Sequence, residues 1–254
     1  MSDSPNTADK NAIINIKLPT DDNVLAVTTS RQNGHSNTPY DSFNLGFHVS
    51  DSEHCVTLNR QKLAQYFPQE CNIQWLNQIH GSDVIDVKCY SSTPLTADAS
   101  YTNNSNLALG ILTADCLPIL LVNNTGAEIA AIHGGWRPLA DNIIANTVKL
   151  FKDTPDNITA WLGPCIGPKA FEVGLEVKQQ FEKLSPDFSK AFVQQPDGKF
   201  LADLHLIATL QLQQLGINKI IGLAECTYTN QDKYFSYRRD GKTGRMASVI
   251  CINT

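Results

Sequence analysis

Two apolar runs of strand length, Leu107–Leu112 and Ile119–Val122, stand on either side of Thr113-Ala114-Asp115-Cys116-Leu117-Pro118. Short apolar runs closed off by breaking residues read as strands buried in a core. Pro118 has no N–H to give to a sheet ladder, so regular pairing must bulge or stop here. The break turns Asp115 and Cys116 away from the pleat while both flanks stay in the core. Side chains so placed can project into a cleft.

The same pattern recurs downstream. Glu128–His133 reads as a strand, Gly134-Gly135 permits a tight exit, and Pro138 can start a helix with Leu139, Ile143, Thr147 and Leu150 on one face. His133 then sits at a strand-to-helix corner, where unpaired amides at the helix start can hold an anion. Val24–Thr29 is a β-branched strand ended by Gln32-Asn33-Gly34, and a loop carrying Asn44 and His48 follows. Helices are expected over 174–184 (Val177, Phe181, Leu184) and over 200–215 (Leu201, Leu204, Ile207, Leu215), the latter closed by Gly216. Lys219–Thr227 and Met246–Ile252 read as strands around an Arg-rich loop. Strands outnumber helices without alternating with them, which points to an α+β fold with mixed sheets.

Composition narrows the partners. The chain of 254 residues suits one core, and it contains no repeat or low-complexity linker. Residues 1–15 read as a poorly ordered polar tail and 16–254 as a single catalytic domain. A net charge of -5 without a basic block disfavours nucleic acid. No stretch approaches the roughly 20 apolar residues of a membrane helix, and Met1–Asn11 has no apolar signal core, so a cytoplasmic protein is expected. Seven scattered cysteines without CxxC spacing argue against a disulfide framework. No feature of the sequence sets an oligomeric state.

His80, Cys116 and His133 each adjoin Gly, Pro or Asp, and not the middle of an element. Singly, each would read as a core or loop residue. Together, two imidazoles and a thiolate fill three positions of a tetrahedral zinc and leave the fourth for water or substrate. Asp115, beside Cys116, is a candidate to move protons or orient a ligand. Arg238, Arg239, Lys242 and Arg245 share a Gly-rich loop suited to oxyanions, because guanidinium groups present bidentate forks and glycine lets backbone amides approach. Arg31 and Arg60 suggest the same more weakly, while His35, His54 and His205 read as structural or surface groups.

Several of these segments resemble one bacterial family, the laccase-domain or polyphenol-oxidase-like purine nucleoside phosphorylases. They are Pro39-Tyr40-Asp41-Ser42-Phe43-Asn44-Leu45-Gly46-Phe47-His48, Asn59-Arg60, the run from Thr113 to Leu121, Ile132-His133-Gly134-Gly135-Trp136-Arg137, Cys226-Thr227, and the loop from Phe235 to Arg245. The likeness extends from about Val24 to Ile252. It implies a four-layer α/β/β/α sandwich and a zinc enzyme that cleaves adenosine, inosine and S-methyl-5'-thioadenosine with phosphate and can also deaminate adenosine. It implies zinc on His80, Cys116 and His133, catalytic roles for Cys116, His133 and Asp115, and substrate contacts from Asn44, His48, Arg60 and Arg238, with the Arg238 region holding an anion. Copper is the alternative metal under the family's older polyphenol-oxidase label, although 6 histidines are too few for a multicopper site and 2 methionines offer no obvious axial ligand. A Cys/His hydrolase, with Cys116 as nucleophile and His133 as base, is the third reading; a related branch is associated with editing peptidoglycan precursors. The chain departs from the family at Gly134, where Ala is more common, and at Pro138, where Gly is.

Overall fold

The apolar runs build two large sheets in the computed structural model, which describes residues 12–20, 23–105 and 107–253. The first sheet has the strand order Ile13–Asn15, Val24–Thr29, Met246–Ile252, Leu107–Thr113, Asn72–Gln74. Its last pairing is parallel and the others are antiparallel. The second runs Lys219–Gly222, Ile158–Leu162, Leu117–Asn123, Ile129–Gly134, Ala99–Thr102, Val84–Asp86, with parallel pairs only at its two ends. The expected α+β class with mixed sheets holds.

Alternation along each strand decides which core a side chain enters. Leu107, Leu109, Ile111 and Ile250 of the first sheet meet Leu120, Val122, Ile129 and Ala131 of the second. The intervening Ala108, Leu112 and Val249 face the other way, onto Leu63 and Phe67. Leu63 comes from the helix Glu53–Ala64, whose Ser52 cap accepts from Cys55 N. On the far face of the second sheet, Ile119, Leu121, Ala130 and Ile132 pack with Leu139, Ile143, Phe181, Ile207 and Leu212. Both faces of the central strands are therefore buried, which explains their continuous apolar runs. Each Leu, Ile, Val or Phe side chain among them contributes about 1.5–3 kcal/mol by leaving water.

Four boundaries differ from the sequence reading. Residues 1–11 of the expected tail lie outside the described residues, but Ile13–Asn15 pairs with Val27–Thr29, so the folded domain begins before residue 16. Phe200–Ala202 is not helical: it is the middle strand of a small sheet, between Glu172–Val173 and Phe192–Gln194. The helix starts only at Leu204, where the Asp203 carboxylate accepts from Leu206 N. The helix expected from Pro138 is broken into Trp136–Ala140 and Ile143–Val148 by Asn142 at φ +60°. The strand from Lys219 ends at Gly222, short of Cys226.

One connection positions the site. The Leu107–Thr113 strand belongs to the first sheet and Leu117–Asn123 to the second, so Ala114–Cys116 carries the chain from one sheet to the other.

Candidate functional site

That crossing is a tightly held turn. Asp115 adopts φ +91°, which a residue with a Cβ avoids unless its surroundings enforce it. Its carboxylate accepts from Thr227 Oγ1 at 2.6 Å and Arg238 N at 2.7 Å, and its carbonyl accepts from Ile166 N at 2.9 Å. Cys116 is thereby fixed at the floor of a cleft. His133, opposite Pro118 in the ladder, reaches the same point from the end of its strand. His80, at φ +59°, arrives from a loop whose Gln78 side chain both donates to and accepts from the backbone of Leu112 at 2.8 Å.

The ligand atoms of His80, Cys116 and His133 lie within 4.8 Å of one another. Cys116 Sγ is 3.9 Å from His80 Nε2, and the two imidazole rings stand edge to face at 4.7 Å. A tetrahedral zinc shell places such atoms roughly 3.5 Å apart, so small side-chain rotations close the set.

Asp98, a residue the sequence reading missed, organises this cluster. Wholly buried, it accepts from the amides of Ile79 (3.1 Å), His80 (3.0 Å) and Gly81 (2.7 Å), and it pairs with His133 Nδ1 at 2.7 Å. A carboxylate on one imidazole nitrogen fixes the tautomer and aims the other nitrogen at a metal, the usual support behind a histidine ligand. Burial alone would raise Asp98, but His133 and the loop amides outweigh it and hold the carboxyl below its ordinary value. Burial likewise pushes the Cys116 thiol up, yet His133 and His80 bring it down to about 6. Burial lowers His133, while Cys116 and Asp98 raise it to about 9. A thiolate is thus favoured beside the imidazoles, the state in which cysteine ligates metals. Two nitrogens, one thiolate and a supporting carboxylate fit a zinc-type site with one open position.

The cluster opens into a cavity of about 590 Å³ whose lining includes His48, Asp115, Phe171, Tyr237, Arg238 and Arg245. Of the residues read from sequence, His48, Asp115 and Arg238 thus join the three candidate ligands. Two do not. Asn44 is fully buried, with Nδ2 donating to Gly46 O and Asp51 and Oδ1 accepting from Gly46 N and Arg245 N, so it clasps its own loop and is absent from the cavity lining. Arg60 donates Nε to Leu45 O and stacks against Phe47 and Trp75 at 4.5 and 4.2 Å, outside the cavity lining. Burial lowers this guanidinium to about 10. Arg31 and Arg239 bond backbone carbonyls that hold the neighbouring loops. His205 bonds Gly163 O at 2.9 Å and His54 is exposed, as structural and surface groups should be. Arg245, read from sequence only as one of four basic groups in the Gly-rich loop, also lines the cavity, as do Phe171 and Tyr237, which the sequence reading did not single out.

Residues 25–253 match the family model described as multi-copper polyphenol oxidoreductase laccase. A Haemophilus influenzae protein named purine nucleoside phosphorylase is 47% identical over 232 residues, covering 90% of this chain and 94% of the relative. An Escherichia coli K12 protein named purine nucleoside phosphorylase YfiH is 44% identical over 229 residues, covering 90% and 94%. Among solved structures, a Neisseria meningitidis protein aligns with TM-score 0.91 at 39% identity over 95% of this chain and 99% of that one. YlmD from Geobacillus stearothermophilus aligns with TM-score 0.87 at 29% identity over 94% of each. With almost the whole described chain matched and the clustered cysteine and histidines inside the match, this protein belongs to the laccase-like multi-copper polyphenol oxidoreductase family.

Proposed function

We propose that the protein is a zinc-dependent purine nucleoside phosphorylase acting on adenosine, inosine and S-methyl-5'-thioadenosine, with deamination of adenosine as a side activity. One observation carries the reading: the His80, Cys116 and His133 cluster, backed by Asp98, forms the floor of a cavity that also presents arginines and aromatic rings. A volume of about 590 Å³ lies within the roughly 300–1,000 Å³ range of small-molecule sites. Phe171 and Tyr237 offer faces that suit a purine, and Arg238 stands over the Phe171 ring at 5.4 Å. Bound zinc would supply Lewis-acid polarisation or a water of lowered pKa. Asp115 has both carboxylate oxygens engaged, so its role is to position Cys116 and the Arg238 loop, not to move protons. The relatives' names point to the same reaction. A cytoplasmic setting suits these substrates and the seven free thiols.

The Cys116, His133 and Asp98 series also has the order of nucleophile, base and orienting carboxylate, and this favours the Cys/His hydrolase as the second reading. Copper oxidase chemistry has less support. Met246 is buried with Sδ accepting from Phe235 N at 3.1 Å and is absent from the cavity lining, so it offers no axial ligand. The deciding measurement is inosine turnover with and without phosphate, with products separated by chromatography. Hypoxanthine and ribose 1-phosphate are expected only with phosphate. Equal turnover to free ribose without phosphate would overturn the proposal.

A further inference from the structure

The cavity holds an arginine and a histidine that meet with no carboxylate hydrogen-bonded to either. His48 and Arg245 both line it, and they converge on Gly46. A Cβ built on Gly46 would lie 2.9 Å from Arg245 Cγ, 3.2 Å from Arg245 Cβ and 3.3 Å from His48 Cε1. Glycine therefore lets the two side chains share one notch. Arg245 Nη1 is tethered to the carbonyls of Thr243 at 3.0 Å and Gly244 at 2.9 Å. Among the described residues, Arg245 Nε and Nη2 and both His48 ring nitrogens have no protein hydrogen-bond partner. The rest of the fork is thus aimed and free to bind.

The electrostatics agree with the geometry. Burial, then Arg245, then Arg60 lower the His48 pKa, which places three basic groups together in a chain of net charge -5. Burial lowers the Arg245 pKa, and the anionic groups that oppose this are Cys116 and Asp115. Cys116 is committed to the ligand cluster and Asp115 to Thr227 and Arg238 N. A free guanidinium edge beside an unbonded imidazole, next to a metal cluster, suits a tetrahedral oxyanion. Arg238 is differently placed, with Nη1 and Nη2 donating to Glu172 O at 3.1 and 3.2 Å over the Phe171 ring.

We infer that the Gly46 notch is the inorganic phosphate subsite, with His48 and Arg245 holding the oxyanion and Arg238 belonging to the nucleoside side of the cavity. The assignment rests on the phosphorylase reading for its ligand and moves the anion away from Arg238. In the reaction served, a phosphate oxygen bonds C1' of the ribose as the C1'–N9 bond breaks. The bonding pair leaves on the purine, which takes up the proton that the phosphate gives up on forming its ester.

Equilibrium dialysis of labelled inorganic phosphate against the zinc-loaded protein tests the site directly. Arg245→Gln should weaken phosphate by roughly 10- to 150-fold, the cost of one charge-assisted bond. His48→Gln and Gly46→Ala should weaken it in the same direction; Gly46 lies at φ -97°, so alanine there adds crowding without backbone strain. Arg238→Gln should keep phosphate binding and raise the KM for inosine. Saturating inosine should leave phosphate bound, whereas a subsite for a nucleotide's own phosphate would bind inosine 5'-monophosphate and lose inorganic phosphate to it. Wild-type affinity in Arg245→Gln and Gly46→Ala, loss of phosphate in Arg238→Gln, or mutual exclusion of phosphate and inosine overturns the assignment. If phosphate binds in the expected pattern but no nucleoside turns over, the phosphorylase reading fails and the anion site stands. Phosphate-dependent turnover with binding indifferent to Arg245 fails the notch alone.

Discussion

Asp98 accepts three backbone amides and an imidazole N–H while wholly buried, so its charge sets the shape of the His80 loop and the aim of His133 together. Replacing it by Asn keeps the volume but turns an N–H toward groups that already donate. Asp98→Asn should cost about 10- to 100-fold in zinc affinity, read by competition with a chromophoric chelator. It should also lower the unfolding free energy of chelator-treated protein by about 1–3 kcal/mol, read by urea titration. The pH dependence has two edges. Asp98 sits below its ordinary value, so its stabilisation is full above about pH 4 and fades as the pH falls further. His133 is raised to about 9, so its share is full below about pH 6.5 and fades as the pH climbs through 9. The gap between wild type and Asp98→Asn should therefore be widest between these limits; a gap that grows outside them contradicts the pairing. Cys116→Ala removes one donor of three and should lose most bound zinc, and stoichiometric zinc at native affinity in that variant would show the ligand set to be wrong.

Among the elements, the crossing turn depends on a residue more than a hundred positions away. Thr227 Oγ1 donates to Asp115 within the core, and Thr227→Val keeps the shape while leaving a buried carboxylate oxygen unsatisfied. The expected loss is about 1–3 kcal/mol in urea unfolding, with faster amide exchange at Ile166 and Arg238, which bond the same aspartate. A neutral substitution would mean that the φ +91° turn stands without this clasp. Such long-range bonds also mark where sequence reading stops. The strands Val24–Thr29 and Met246–Ile252 were legible because β-branched and apolar runs state their own limits. Helix Glu53–Ala64 was not, since it buries only Val56, Asn59 and Leu63 and leaves little periodic stripe. Phe200–Ala202 was misread because Leu201, Leu204 and Ile207 keep helical spacing across a real boundary at Asp203. The three ligands announced themselves by chemistry and breaker residues. Asp98 is tied to a loop 17–19 residues before it and an imidazole 35 residues after it, and no local pattern encodes that.

Across the whole molecule, the candidate metal site lies where the two sheets are joined: Cys116 ends the crossing, His133 ends a strand of the second sheet, and His80 comes from a loop clipped to Leu112 of the first. A bound ion would tie these parts in the folded state and in no other, so occupancy should appear as stability. At a free zinc concentration one hundred times Kd the gain is about 2.7 kcal/mol, which for a domain of this size raises Tm by roughly 5–10 °C. Chelation should lower Tm by that amount and stop nucleoside turnover, and added zinc should restore both. Because zinc has no redox cycle, removing oxygen should leave turnover unchanged, and the zinc form should not oxidise phenols. The rival readings depart at this point. A Cys/His hydrolase would keep its activity after metal removal and lose it to thiol alkylation, while a copper oxidase would need oxygen. Full turnover by metal-free protein, or oxygen-dependent phenol oxidation by the zinc form, would exclude zinc-dependent phosphorolysis; reversible joint loss of Tm and turnover, indifferent to oxygen, is the expected result.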